Sequence, residues 1–197
     1  MKKINWRILG ITCLVTLLPI VLGVIFWQRL PEEIAIHFNI HNEPDNYASK
    51  SVAVLGIPLM MATMQCLLCV LTDLQLQRRG RNPKMERVSK WIIPFITVVL
   101  YVFTLCFSLG VDLDVRRIAL LILGLTFIVL GNYLPKTEAN NDRERKFNRA
   151  SGFGMVVYGI FCLISAFLPV AFSLVCLGLL FPAILVFAIF GERAKRG

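Results

Sequence analysis

Charge is scarce in this chain. Only 17% of its 197 residues are Asp, Glu, Lys or Arg, where a soluble domain carries about 25%. Histidine is scarcer still: His37 and His41 are the only two, and both fall in one polar stretch. That leaves no Ser-His or Cys-His pairing for nucleophilic chemistry. It also leaves no set of His and acid ligands inside an apolar run for an intramembrane metalloprotease. The apolar runs lack central acids, which counts against a proton-coupled pump, because intramembrane charge is the usual mark of one. The expectation is a protein that is not an enzyme and needs no cofactor or metal.

Cysteine is present but not in the pattern of a disulfide framework. All six residues, Cys13, Cys66, Cys69, Cys106, Cys162 and Cys176, lie inside apolar blocks, where free thiols behave as small hydrophobes. Cys66 and Cys69 form a CxxC, yet a structural zinc site needs about four ligands and none accompanies them.

What the chain does have is apolar length. Residues AVILMFWYC make up 57% of it, and mean hydropathy is +0.71. Six blocks stand out: Ile8–Trp27, Val52–Thr72, Trp91–Gly110, Ile118–Leu134, Gly152–Leu168 and Val170–Phe190. Each approaches the ~17–25 residues that cross a bilayer as a helix. The first exceeds the ~7–15 residues of a signal-peptide core, so it reads as an uncleaved span. The last two meet at Pro169 and are too long together for one helix, which predicts a tight helical hairpin or one broken element. Pro19, Pro58, Pro94 and Pro182 fall inside spans, where each removes a helix hydrogen bond.

The bases set the expected orientation. Of 21 Lys and Arg, 17 lie at the N-terminus (Lys2, Lys3, Arg7), between blocks two and three (Arg78, Arg79, Arg81, Lys84, Arg87, Lys90), between blocks four and five (Lys136, Arg143, Arg145, Lys146, Arg149) and in the tail (Arg193, Lys195, Arg196). Arg29, Lys50, Arg116 and Arg117 are left for the other side. By the positive-inside bias both termini are cytoplasmic, as an even number of spans requires. The same topology accounts for the net charge of +9, so no direct nucleic-acid contact is expected. The basic segments can also meet anionic lipid headgroups. Asp73, Arg116 and Arg117 sit at span ends, where long side chains reach the interface.

One polar segment departs from this pattern. LPEEIAIHFNIHNEPDNYASK, Leu30–Lys50, is not basic and holds both histidines with Glu32, Glu33, Glu43 and Asp45. Ile34, Ile36 and Phe38 alternate with polar or small residues, which predicts a short extended segment with those three on one face. Glu43-Pro44-Asp45-Asn46 reads as a turn, and Ser49 or Ser51 as the cap of the next helix. On a strand, His37 and His41 stand four rises apart, about 13 Å, too far for one ion to bridge with ~2.1 Å bonds unless the chain bends sharply; they then read as polar contacts of a folded loop, with pH sensing as the alternative.

In this segment the chain resembles the SdpI-type membrane proteins, which carry the DUF1648 module. The residues are Leu30-Pro31, Ile34, His37-Phe38, Pro44-Asp45 and Lys50, matching "LPxxIPxHFxxxGxPDxxxxK". Ala35 stands in place of the second proline and Asn42 in place of the glycine; asparagine best tolerates positive φ among the other residues. Gly131-Asn132-Tyr133-Leu134-Pro135-Lys136 is similar to the family's "GNYLPK" at the end of the fourth span. The Arg-Thr-Pro-Trp run that comes after that motif in the family is absent here; the chain continues TEANNDRERKFNRASGFG.

The resemblance implies an all-α integral membrane fold, with six transmembrane helices and one ordered extracellular loop between the first two. It implies a single membrane domain over 1–197, with a DUF1648-like part at 1–90 and an SdpI-like part at 91–197. In function it implies immunity to a secreted antimicrobial toxin at the plasma membrane of a bacterium, with signalling through a sequestered cytoplasmic repressor. Partner contact would then fall on Leu30, Pro31, Glu32, Glu33, His37, Phe38, Asn39, Pro44, Asp45 and Lys50, with Gly131, Asn132, Pro135 and Lys136 as the second family motif. The alternative is a small-solute transporter or channel-like protein, with polar groups such as Gln65 and Asn132 lining its path.

Overall fold

A computed structural model describes residues 4–39, 41–79, 83–139 and 141–196. Lys2, Lys3 and Arg81 of the topology count lie outside the described residues. The chain is mostly helical. Among the described residues, six helical stretches are long and apolar enough to cross a membrane: Trp6–Ile25, Val52–Leu74, Met85–Ser108, Val115–Lys136, Asp142–Ser165 and Val170–Gly191. Helices dominate because a spanning segment must satisfy its backbone internally where no water can.

The first stretch is not continuous. α1 (Trp6–Leu17) gives way at Pro19 to the short α2 (Ile20–Ile25), with a 3-10 turn after it at Trp27–Arg29. A two-stranded antiparallel hairpin comes next, β1 (Glu33–Phe38) and β2 (Pro44–Ser49). The expected single extended segment is thus half of a hairpin. Glu43–Asn46 is not the turn: Pro44, Asp45 and Asn46 already lie in β2, and His41 and Asn42 lie in the turn before it. Neither expected serine caps the next helix. Ser51 makes no capping bond at the π-helical turn Val52–Gly56, and the Ser49 and Ser51 hydroxyls lie 3.4 Å apart.

α3 (Ile57–Arg79) and α4 (Pro83–Ser108) come next, so the third helix begins eight residues before the apolar block does. Its first two turns include Arg87 and Lys90 of the basic segment. α5 (Val115–Tyr133) ends in a 3-10 turn at Leu134–Lys136. α6 (Asp142–Ser165) takes up most of the charged segment between blocks four and five; Asn141 Oδ1 caps it by accepting from the Glu144 N–H at 2.7 Å. α7 (Val170–Arg196) begins directly after it, giving the tight hairpin predicted at Pro169.

The chain divides into two compact units, Met1–Arg79 with Lys90–Val115, and Gly80–Ser89 with Arg116–Gly197. In the first unit, the core that joins hairpin and helices is Leu30, Ile34, Ala53, Val54, Tyr101 and Leu105. A Cβ placed on Gly23 would lie 2.1 Å from Tyr101 Oη, so only glycine lets α2 approach that ring. In the second unit, α5 and α6 run antiparallel in contact through four glycines. A Cβ on Gly131 would meet the Gly152 carbonyl at 2.6 Å, and one on Gly124 the Gly159 carbonyl at 2.8 Å. Seven residues separate the members on each helix, so two turns later the same small pair meets again. Close backbone approach through small residues is how helices associate where lipid tails offer no hydrophobic drive.

Candidate functional site

The hairpin is shaped by two irregularities. Glu33 pairs with Ser49, Ile34 with Ala48 and Ala35 with Tyr47, but the next pairs are His37 with Asn46 and Phe38 with Pro44. Ile36 is therefore the extra residue on β1 and Asp45 the extra residue on β2. A bulge turns the side chains after it, which corrects the alternating reading. Ile34 and Ala35 are both buried, and Ile36 faces out, 42% exposed. The bulge also brings His37 Nδ1 within 2.5 Å of Asp45 Oδ1 on the outer face.

Asn39 and Asn42 build the turn. Asn39 Oδ1 accepts from the His41 and Glu43 N–H groups at 2.9 and 3.0 Å, and its Nδ2 donates to Glu43 Oε2 at 3.0 Å. Asn42 has φ +65°, the left-handed conformation for which asparagine was expected to substitute for glycine. Its side chain does more: Nδ2 donates to the Leu113 carbonyl at 3.0 Å, and Oδ1 accepts from the Val115 N–H at 2.8 Å. The hairpin tip is thereby tied to the chain entering α5. Phe38 packs edge-on against Phe107 and Phe103, with centroids 4.8 and 5.9 Å away.

At the base, Lys50 is buried. Its Nζ lies 2.8 Å from Glu32 Oε1 and 5.5 Å from the Trp27 ring centroid, and its N–H donates to the Glu32 carbonyl at 2.8 Å. Burying the stem while the head meets a carboxylate avoids an unpaired charge.

The structure thus divides the residues singled out from the sequence. Leu30, Phe38, Asn39, Pro44 and Lys50 are wholly or partly buried and form the hairpin's fabric, whereas Pro31, Glu32, Glu33, His37 and Asp45 face outward with Ile36 and Tyr47. The exposed face is acidic, with two apolar side chains among the carboxylates.

The second motif is a helix end in the other unit. Gly131 makes the close contact with Gly152, and Pro135 Cγ would sit 2.6 Å from a Cβ on Gly152. Asn132 Oδ1 accepts from Lys136 Nζ at 3.3 Å, and that ammonium lies 4.9 Å from the Tyr133 ring centroid. Asn132 is exposed, whereas Gln65 is fully buried.

Sequence reasoning missed one feature. Asp73, at the end of its apolar helix, is buried and paired: its Oδ1 lies 2.6 Å from Lys90 Nζ, with the two side chains 8% and 0% exposed. Asp73 Oδ2 also accepts from the Asn5 N–H at 3.1 Å. Four-residue spacing from Gln65 through Cys69 to Asp73 puts all three on one face of α3, a pattern readable as a polar stripe. The CxxC residues part company: Cys66 Sγ lies 3.2 Å from Cys13 Sγ, and Cys69 Sγ 3.8 Å from the Thr12 hydroxyl.

Comparison with known proteins bears on the hairpin. Residues 14–62 match the family described as a domain of unknown function, DUF1648. That stretch runs from within α1, through the hairpin, to the start of α3. The chain is 27% identical over 131 residues to the immunity protein SdpI of Bacillus subtilis (strain 168), covering 66% of this chain and 61% of that relative. The match thus spans less than two thirds of the relative's length. No solved structure matches. The two matches support an SdpI-type family and, with the six apolar helices, a multi-pass membrane location.

Proposed function

We propose that this protein is a non-enzymatic immunity protein of the plasma membrane, protecting its cell from a secreted antimicrobial toxin. The observation that carries this reading is the similarity to an immunity protein over 131 residues. Both termini lie in the cytoplasm in this reading, in line with the 17 bases clustered on one side, and the hairpin stands outside. The toxin meets the exposed side chains of the hairpin, which include Glu32, Glu33 and Asp45 as well as Ile36 and Tyr47. Exposed carboxylates and apolar groups on one hairpin suit a cationic, membrane-active peptide or protein: charge speeds the encounter, and the apolar groups hold it.

A further part of the proposal is that toxin engagement is reported to a cytoplasmic repressor at the basic helix ends, Arg78–Lys90 and Arg143–Arg149. The two family motifs, Leu30–Lys50 and Gly131–Lys136, then serve as toxin contact and as helix-end support.

The test is expression in a toxin-sensitive strain, then challenge with the producer's secreted toxin. Survival well above the empty-vector control is the expected result. Killing equal to the control, with the protein present in the membrane fraction, overturns the reading for that toxin. Recovery of a co-expressed repressor with the membranes tests the signalling part separately.

A further inference from the structure

Two pairs of thiols sit at almost the same separation, one pair in each compact unit. Cys13 Sγ of α1 lies 3.2 Å from Cys66 Sγ of α3, and Cys162 Sγ of α6 lies 3.1 Å from Cys176 Sγ of α7. Both distances are about 1.1 Å longer than the ~2.05 Å of a disulfide bond, and in each pair the two sulfurs come from different helices. The surroundings set the pairs apart. Cys162 and Cys176 are wholly buried. Cys13 and Cys66 are half-buried, and their chain neighbours Leu14 and Leu67 are both exposed. Cys13 lies in Trp6–Ile25 and Cys66 in Val52–Leu74, stretches long and apolar enough to span a membrane. The thiols at this seam therefore open onto hydrocarbon rather than water.

We propose that Cys13 and Cys66 form a modification site, a dithiol that a lipid-dissolved quinone oxidises to a disulfide joining α1 to α3, while Cys162 and Cys176 stay reduced.

The step balances with those reactants. Two S–H bonds break and one S–S bond forms; two electrons and two protons pass to the quinone, which leaves as the hydroquinone. A quinone with an apolar tail partitions out of water into the bilayer. It reaches a thiol at a lipid-facing seam and not one without surface. The reductants that keep cytosolic thiols open work in water, so a bond closed within a span lies outside their reach. The consequence falls on the chain between the two sulfurs. Residues 14–65 are closed into a loop that contains α2, both strands, the π-helical turn and all of the 14–62 stretch matched to DUF1648. A cross-link restricts the chain it encloses, so oxidation fixes the two helices between which the hairpin is mounted. Cys69, one turn beyond Cys66, is otherwise engaged: its Sγ accepts from Gln65 Nε2 at 3.2 Å and lies 3.8 Å from the Thr12 hydroxyl. This inference needs neither a toxin nor a particular membrane orientation, so it stands or falls apart from the immunity reading.

The test uses the full-length protein in lipid nanodiscs under argon. The probe is a short-tailed, fully ring-substituted benzoquinone, which has no free ring position for a thiol to add to. The protein is then denatured with N-ethylmaleimide present, digested without reduction and mapped by mass spectrometry. A linked Cys13–Cys66 peptide should replace most of the maleimide-labelled Cys13 and Cys66, while Cys162 and Cys176 remain labelled. The thermal unfolding midpoint should rise on quinone treatment in the parent and stay constant in Cys13→Ser. Maleimide on all six cysteines after treatment overturns the proposal. Linkage of Cys162 to Cys176 to the same extent overturns the selection by exposure. Equal linkage with the hydroquinone form in place of the quinone overturns the oxidant.

Discussion

Asn42 accepts the backbone N–H of Val115 through its side-chain oxygen at 2.8 Å, so one residue of the hairpin turn holds the first residue of α5. The same residue sits at φ +65° and donates to the Leu113 carbonyl. A glycine would satisfy the backbone requirement and lose both side-chain bonds.

Asn42 substitutions separate those two roles. Asn42→Gly should destabilise the protein by about 1–2 kcal/mol through the two lost hydrogen bonds. Asn42→Ala should cost about a further 1 kcal/mol, since an L side chain at positive φ is strained. Thermal unfolding in detergent orders the variants; a glycine variant as stable as the parent would show that only φ matters here.

The buried ion pair makes a prediction of opposite character for single and double changes. Removing one partner of a buried pair strands the other charge, at a cost of about 3–5 kcal/mol, while replacing both with apolar residues is often close to neutral. Asp73→Leu and Lys90→Leu should each lower the amount of folded protein, and the double variant should recover much of it. Retention on size-exclusion chromatography after graded heating measures this.

The glycine contacts of α5 and α6 predict a position-specific effect. Gly131→Ala and Gly159→Ala force a Cβ to within 2.6 Å of a facing backbone oxygen, so the helices must part and stability should fall. Gly154→Ala on the same α6 meets nothing within 4 Å. It should be neutral or stabilising by up to about 1 kcal/mol, from helix propensity alone. Equal effects at all three positions would contradict the packing.

On the hairpin, stability and contact can be told apart. His37 and Asp45 form an exposed pair, 67% and 42% accessible, and such pairs are worth about 0–1 kcal/mol. His37→Ala should therefore leave unfolding nearly unchanged. If the outward face meets the toxin, it should still reduce survival under challenge. Phe38→Ala should lower both, because it removes the ring that packs on Phe103 and Phe107.

Much of the architecture was legible in the residues alone. Six apolar blocks, the break at Pro169, an extended segment over Ile34–Phe38 and a left-handed Asn42 come from local rules of length, proline and glycine chemistry. The reading failed where the outcome depends on residues far apart. Ile36 faces outward because a bulge, set by pairing with β2, shifts the pleat by one residue. Lys90 counted as one base of a loop; α4 starts early enough to place it against Asp73 of α3.

The sequence by itself determined the number of long apolar helices and the break at Pro169. A bilayer admits only segments that bond their own backbone, and proline cannot do so. Which side chains meet across the packed segments was decided only in the tertiary structure. Nothing in the order of residues says that Tyr101 donates to the Val54 carbonyl or Gln65 to the Lys90 carbonyl. Those contacts depend on how the two segments pack, which is a property of the pair and not of either stretch of sequence.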